Sequence, residues 1–488
     1  MIYDIIIIGG GVTGCSIART LSKYDLNICL LEKEADIASG TTKANSGVVH
    51  AGYSADRKYI KRNLCIRGNK LYTQAQKELN FPFRRIGSFV VALEDTQIEE
   101  LEEQRKKGLQ DGVPDLELIL DKEKIKKMEP NLTDETVGVL HAPSAGIVSP
   151  YELTYALAEN AATNGVKFFR NQEVIKIRHQ EYVFTVKTRE GEFQSNNLIN
   201  AAGLYASRIS KMLGLDYFDI MPRRGEYILF DRNMLHLNKI LFPSPTKVSK
   251  GILVCPTVHG NTFVGPNAQN IVDLDDLSTT TAGLKEILEG GMKLVPNLPV
   301  RSSIRNFAGL RAVPDTMDFI IDNTDVYGFI NVAGILSPGL TSCFAIAERV
   351  EEFLELLGVQ MRVKEDYNPI RPKPERFTNF SQEELDKKIK KDPLWARIVC
   401  RCETIPEREI IDAIHAPVGA TTVDGVKFRC RAGMGRCQGG FCRPRVMQIL
   451  SRELNIPMEE ITKRGEDTNI VVGKTKDFIL SKLEQKGR

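Results

Sequence analysis

The feature that most constrains this chain is a glycine turn close to its first residue, Gly9-Gly10-Gly11-Val12-Thr13-Gly14. The run Ile5-Ile6-Ile7-Ile8 precedes it and suits a short strand buried on both faces. Small and apolar residues at helical spacing follow over residues 12–21, and residues 26–31 return as a second strand ending at Glu32. This is a βαβ opening. Gly9 permits the tight turn, Gly11 lets backbone approach a pyrophosphate, and Gly14 allows close helix–strand packing. The helix start at Val12 and Thr13 offers free N–H groups and a partial positive charge to that pyrophosphate. Glu32, with Lys33 beside it, lies where an acid takes ribose hydroxyls. A merely structural glycine turn would not account for Glu32. The pattern specifies a dinucleotide but does not separate NAD from FAD.

The 488 residues allow two to four domains. A net charge of +3 is too small to imply nucleic acid or an anionic membrane as partner. The basic cluster at residues 387–391 reads as a solvated helix face. No secretory signal is present, and no apolar run approaches the roughly 18 residues that span a bilayer. A cytoplasmic location is therefore expected, with the ten cysteines reduced or ligating metal. Five are scattered (Cys15, Cys29, Cys65, Cys255, Cys343), and five crowd between Cys400 and Cys442.

Further along, residues 151–164 read as an amphipathic helix, with strands expected at 166–169, 182–188 and 198–203. Residues 88–93 and 225–230 look like strands of a second sheet, and 96–108 like a charged, exposed helix. Pro369, Pro372 and Pro374 lie among charges and read as a stiff linker.

After Glu32 comes a long stretch of small polar residues, 38–47, able to wrap a cofactor but too polar for a core. Thr41-Thr42-Lys43-Ala44-Asn45-Ser46-Gly47-Val48-Val49-His50-Ala51-Gly52 lies at its end. With residues 256–261, 264–268, Phe307-Ala308-Gly309-Leu310-Arg311 and residues 334–341, it resembles the D-amino-acid oxidase superfamily of flavoproteins. Within that superfamily it is similar to the glycerol-3-phosphate and L-2-hydroxyglutarate oxidoreductases. The resemblance covers residues 3–356. It implies FAD, with contacts from Thr41, Thr42, Asn45, Ser46, Gly47 and Val48. It places Glu173 and Val174 on the adenine side, and Ala201, Ala202 and Gly203 near the pyrophosphate. Gly334, Ser337, Pro338, Gly339, Leu340 and Thr341 would line the flavin ring at a helix start, whose dipole stabilises negative charge on reduced flavin.

Oxidising an alcohol with flavin needs a base for the hydroxyl proton, the carbinol carbon against the ring, and a hold on the substrate's acidic end. The resemblance makes His50 the candidate base, with His259 as runner-up, although His259 also reads as a turn residue. Arg311 is the candidate anion clamp and a cofactor neighbour. A planar guanidinium suits phosphate and carboxylate alike. Arg224 and Lys250 are weaker candidates, with surface salt bridges as their plainer reading. The expected reaction is oxidation of sn-glycerol 3-phosphate to dihydroxyacetone phosphate. The alternatives are an L-2-hydroxyglutarate or other 2-hydroxy-acid dehydrogenase, an amino-acid or amine oxidase, and an electron-transfer subunit without a substrate of its own.

Cys400-Arg401-Cys402 and Cys437-Gln438-Gly439-Gly440-Phe441-Cys442 form two close pairs. They resemble the bacterioferritin-associated ferredoxin-like domain, in the longer-gapped version fused to flavoproteins. The implied ligands of a 2Fe-2S cluster are Cys400, Cys402, Cys437 and Cys442. A four-cysteine zinc site is the bland alternative, for which this spacing is unusual. Cys430 is spare and reads as a small buried residue. Flavin takes two electrons at once and a 2Fe-2S cluster takes one. The pair therefore points to an acceptor protein, partner subunit or quinone pool, with any membrane link made through a partner.

The expected architecture is α/β. A Rossmann-type FAD-binding domain is built from discontinuous segments (1–75, 150–215, 310–362). A mainly antiparallel-sheet substrate domain is inserted (76–149, 216–309). A linker (363–394), a small helical iron–sulfur domain (395–452) and a tail (453–488) follow.

Overall fold

The computed structural model describes residues 2–244 and 251–476. The chain divides into two compact units. The first holds residues up to Lys373 apart from Glu34–Asp36, and the second holds those three residues and the chain from Pro374 onward.

The first unit contains a sheet whose parallel strands run in the order Lys167–Phe169, Ile28–Leu31, Ile2–Ile8, Glu192–Asn200, Phe329–Ala333. Ile2–Ile8 takes a neighbour on each side, and Ile5, Ile6 and Ile7 are fully buried. A continuous β-branched run is what such a position demands. The helices Val12–Leu21, Pro150–Thr163, Ile60–Leu79 and Gly339–Leu356 pack together as a layer on this sheet. The hairpin Val174–Gln180 and Val183–Thr188 extends it by antiparallel pairing.

A second sheet of nine strands is almost wholly antiparallel; only Ile240–Pro243 beside Ser88–Ala92 runs parallel. Its longest pairing joins Ile220–Phe230 to Ser303–Pro314. Ser303–Pro314 runs unbroken across residue 310, the position expected to divide the two sheets' domains.

The proline-containing stretch is strapped down rather than free. The Asn368 carbonyl accepts from Asn160 and Asn164, and the Arg371 carbonyl accepts from Asn80.

The second unit extends on both sides of residues 395–452. Gln382–Lys391 is a helix with a full Ser381/Glu384 capping box. Its Lys387 pairs outward with Glu383, and Lys388 lies over the Phe380 and Trp395 rings. Beyond residue 452, Ile461 is fully buried in the core formed with Ile410, Val426 and Leu450. Among the described residues, no helix is long and apolar enough to cross a membrane.

Candidate active site and cluster site

Four parallel strands end at one edge of the first sheet, and the candidate cofactor residues follow directly from those ends. Ile8 leads into Gly9, Leu31 into Glu32, Asn200 into Ala201–Gly203, and Ala333 into Gly334. Ligands of open α/β sheets bind at this carboxyl edge. Lys167–Phe169 ends there too, with the Glu32 N–H on the Phe169 carbonyl, which brings the segment leading to Val174 alongside.

The glycines are dictated by close approach. Gly9 has φ +109°, and a Cβ there would lie 2.3 Å from the Ala201 carbonyl oxygen. A Cβ at Gly14 would lie 2.0 Å from the Gly9 carbonyl oxygen. Glu32 is buried and its Oε2 accepts the Gly10 N–H at 2.6 Å. Around Gly40 and Gly203 the space is open, with nothing within 4 Å of where a Cβ would stand, so a slender ligand can lie against both backbones. Lys33 stacks on the Tyr205 ring, 4.2 Å from its centroid, beside Gly203. These residues fit a dinucleotide.

The small polar segment is tied to the turn and to the second sheet. The Thr42 hydroxyl accepts the Val12 N–H at 3.0 Å, and the Thr41 hydroxyl donates to the Leu310 carbonyl at 2.7 Å. Asn45 donates to the Thr42 carbonyl and accepts the Gly47 N–H, both at 2.8 Å, which curls the chain past Ser46. Val48–Val49 then pairs with Gly146–Val148.

His50 follows at once. Its N–H donates to the Thr341 hydroxyl at 2.9 Å, and its carbonyl accepts from Asn69 Nδ2 at 2.9 Å. Its ring lies 5.9 Å from that of Phe242. His50 is thus brought to the start of the helix Gly339–Leu356. There the Leu340 carbonyl accepts from the Tyr72 hydroxyl at 2.6 Å, while Ser337 is exposed. Gly334 has φ +63° and packs on Pro314.

Arg311 is placed by strand alternation. Arg311 stands opposite Arg223, Gly309 opposite Gly225, and Phe307 opposite Tyr227. Period-two geometry sets these six on one face. A Cβ at Gly309 would lie 1.9 Å from the Ala44 carbonyl oxygen, so the cofactor-wrapping backbone rests on that face. Gly225 leaves room for the guanidinium: a Cβ there would meet Arg311 Nη2 at 2.7 Å. Arg311 donates only to the carbonyls of Arg223, Arg224 and Asn267, and no carboxylate pairs with it among the described residues. Burial holds it below the usual arginine range.

Arg224 is not brought to this clamp. Paired with Leu310, it points to the opposite face, where Nη1 meets Asp276 at 2.5 Å and Ser278 at 2.8 Å. The ion pair fits the plainer salt-bridge reading of Arg224, buried rather than at the surface. Lys250 lies outside the described residues. The His259 ring meets Glu152 Oε2 at 2.6 Å, an acid that sequence reasoning passed over because it lies 107 residues away. Asn69, and Arg85 donating to Asn69 Oδ1 at 3.0 Å, were likewise missed behind His50. The alternation of 223, 225 and 227 was the available signal for the Arg311 face.

In the second unit the four expected thiols converge as two pairs. Cys402 and Cys437 sulfurs are 3.6 Å apart, and Cys400 is hydrogen-bonded to Cys442. That hydrogen bond draws Cys400 down to about 6, against burial and with help from the Gly433 and Glu403 N–H groups. N–H groups of Gly439, Gly440 and Phe441 point to Cys437. No three His, Cys, Asp or Glu side chains among the described residues converge on a single-ion point. A binuclear cluster, with two thiolates per iron and N–H donors on sulfur, matches the paired arrangement. Cys430 stays apart: it is buried, its thiol donates to the Val426 carbonyl at 3.3 Å, and burial pushes it up to about 12. Cys437→Ser should remove the cluster's visible absorption and its reduced-state EPR signal, leaving the flavin spectrum intact. A surviving EPR signal would show that Cys437 is no ligand.

The family model for FAD dependent oxidoreductases matches residues 4–352, and that for the BFD-like [2Fe-2S] binding domain matches residues 398–452. A glycerol 3-phosphate dehydrogenase of Caloramator mitchellensis is 46% identical over 479 residues, covering 98% of this chain and all of the relative. An L-2-hydroxyglutarate dehydrogenase of Caenorhabditis elegans is 28% identical, covering 71% of this chain and 92% of the relative. Among solved structures, the FAD-bound, dithionite-reduced L-alpha-glycerophosphate oxidase of Mycoplasma pneumoniae superposes with a TM-score of 0.72. It is 32% identical, over 76% of this chain and 98% of that one. The mixed α/β fold, the dinucleotide cradle and the paired thiols therefore meet in one assignment: this chain belongs to the FAD dependent oxidoreductase family, carries a BFD-like [2Fe-2S] binding domain, and has FAD and a 2Fe-2S cluster as its cofactors.

Proposed function

We propose that this protein oxidises sn-glycerol 3-phosphate to dihydroxyacetone phosphate and releases the electrons singly, through its cluster, to a protein or quinone acceptor. The observation that carries this function is the Arg311 guanidinium, half-buried on the face covered by the cofactor-wrapping segment and uncompensated by any described carboxylate. A desolvated cation in that state is prepared for an anionic substrate group. The relative that matches this chain over nearly its whole length bears the name of a glycerol 3-phosphate dehydrogenase, which supports a phosphate.

Held by the Gly9–Gly14 turn, Glu32 and the Thr42 segment, FAD would supply the hydride acceptor. His50 takes the hydroxyl proton as the alcohol becomes a ketone. Arg311 grips the phosphate and fixes which carbon is presented. Thr341 and Asn69 hold the His50 backbone, which fixes where the imidazole starts from.

Anaerobic turnover with a two-electron dye should form one dihydroxyacetone phosphate per dye reduced. Turnover without ketone formation would refute the assignment. Arg311→Met should raise KM for glycerol 3-phosphate about 30-fold or more, since truncating one partner of a desolvated charge pair costs roughly 2–5 kcal/mol. Arg311→Lys should recover part of this loss, as a point charge without the planar fork. An unchanged KM in Arg311→Met would remove Arg311 from the clamp.

A further inference from the structure

The structure assigns a docking surface to the exposed edge of the cluster site, and the partner that fits it is a small acidic one-electron carrier protein. This rests on the electron-releasing function proposed above.

Cys400 and Cys442 are buried, whereas Cys402 and Cys437 are only half-buried. The accessible edge of the site is therefore the Cys402/Cys437 side. Phe441 stands there 87% exposed, while its backbone N–H is bonded to the Cys437 sulfur. Phenylalanine is among the residue types most often buried, and aromatic residues together with arginine dominate protein-binding hot spots. The backbone of this one is a single hydrogen bond from a cluster ligand.

The charge carried by the two cysteine-bearing segments is of one sign. The two cysteine-bearing segments, 400–402 and 433–445, contain Arg401, Arg436, Arg443 and Arg445 and no acid. Arg401, Arg436 and Arg445 are exposed, and neither Arg401 nor Arg445 has a carboxylate partner among the described residues. The neighbouring acid Glu403 is buried and committed to Arg431 at 2.8 Å. Arg443 and Arg445 occupy the first turn of the helix Arg443–Leu454, which holds no acidic residue there. Cations at a helix N-terminus work against the macrodipole. Helix stability does not select this arrangement. It makes a concentrated positive field around an apolar ring, which steers an acidic partner to the point where electrons leave. Each alcohol oxidised supplies two electrons. Two carriers take one each, and two protons are released.

Oxidised holoenzyme should bind plastocyanin, an acidic one-electron carrier, at low ionic strength, and salt should weaken the complex. It should bind basic cytochrome c at least about tenfold less well. Arg401→Glu/Arg445→Glu should weaken plastocyanin binding by about tenfold or more and invert the preference toward cytochrome c, with the cluster EPR signal and flavin bleaching by substrate unchanged. Arg401→Lys/Arg445→Lys should restore plastocyanin binding. Phe441→Ser should weaken it without altering its salt dependence. Equal binding of both carriers by wild type, or no change in the double glutamate variant, would overturn the assignment. So would arginine-dependent binding to anionic phosphatidylglycerol vesicles without plastocyanin binding, which would make the face a membrane contact. The binding measurements need no turnover, so a failed substrate assignment would show separately, as absent bleaching.

Discussion

A valine at Gly14 should give a folded protein that has lost FAD affinity by about 10- to 100-fold, the order expected when a side chain is forced into a packed position that cannot relax. The Gly14 α-carbon faces the Gly9 carbonyl so closely that a Cβ would lie 2.0 Å from it. Gly9 cannot recede, because its own Cβ position is 2.3 Å from the Ala201 carbonyl. Three backbone segments are therefore stacked at the strand ends with no side chain between them. Moving any one of them displaces the N–H groups at the helix start and the Gly10–Glu32 contact together. Gly191→Ala is the control. It lies in the exposed hairpin turn with nothing within 4 Å of a Cβ, and should keep FAD at wild-type affinity. Flavin absorbance per protein after desalting reads both. A yellow Gly14→Val protein would mean the dinucleotide lies elsewhere.

His50→Asn should slow flavin reduction by about 100-fold or more, the range of general-base catalysis, while FAD stays bound. The separation of the two effects follows from how residue 50 is held. Its backbone is anchored on both sides, from the N–H to Thr341 and from Asn69 to the carbonyl. Both bonds survive a side-chain change, so the cofactor-wrapping segment keeps its path and only the proton acceptor is lost. Stopped-flow flavin reduction under argon measures it. An unchanged rate would transfer the base role to another group, His259 with its Glu152 partner being the nearest alternative by chemistry.

The parts of this molecule that were legible in sequence are those whose causes are local. The isoleucine run, the glycine spacing and Glu32 are set by one βαβ unit, and the fold follows from them. The two cysteine pairs are likewise short-range signals. The Arg311 face is legible in principle, because alternate residues of a strand share a face, but the register that sets Arg224, the weaker candidate, on the opposite side is not contained in any short window. Other features depend on contacts that no short window contains. The Glu152–His259 pair and the Asn69 hold on His50 join separate elements. The buried place of Ile461 is hidden for the same reason. The buried Ile461 looks like part of a charged tail until the core around Ile410 and Leu450 is seen to need it.

The central claim is that the anion gripped by Arg311 is a phosphate and that the alcohol beside it gives hydride to the flavin. Anaerobic mixing of the oxidised holoenzyme with sn-glycerol 3-phosphate should bleach the flavin absorbance in a single turnover, while L-2-hydroxyglutarate and amino acids at the same concentration should leave it yellow. Bleaching by L-2-hydroxyglutarate instead, or by none of these substrates when a reductase does bleach it, would contradict the account.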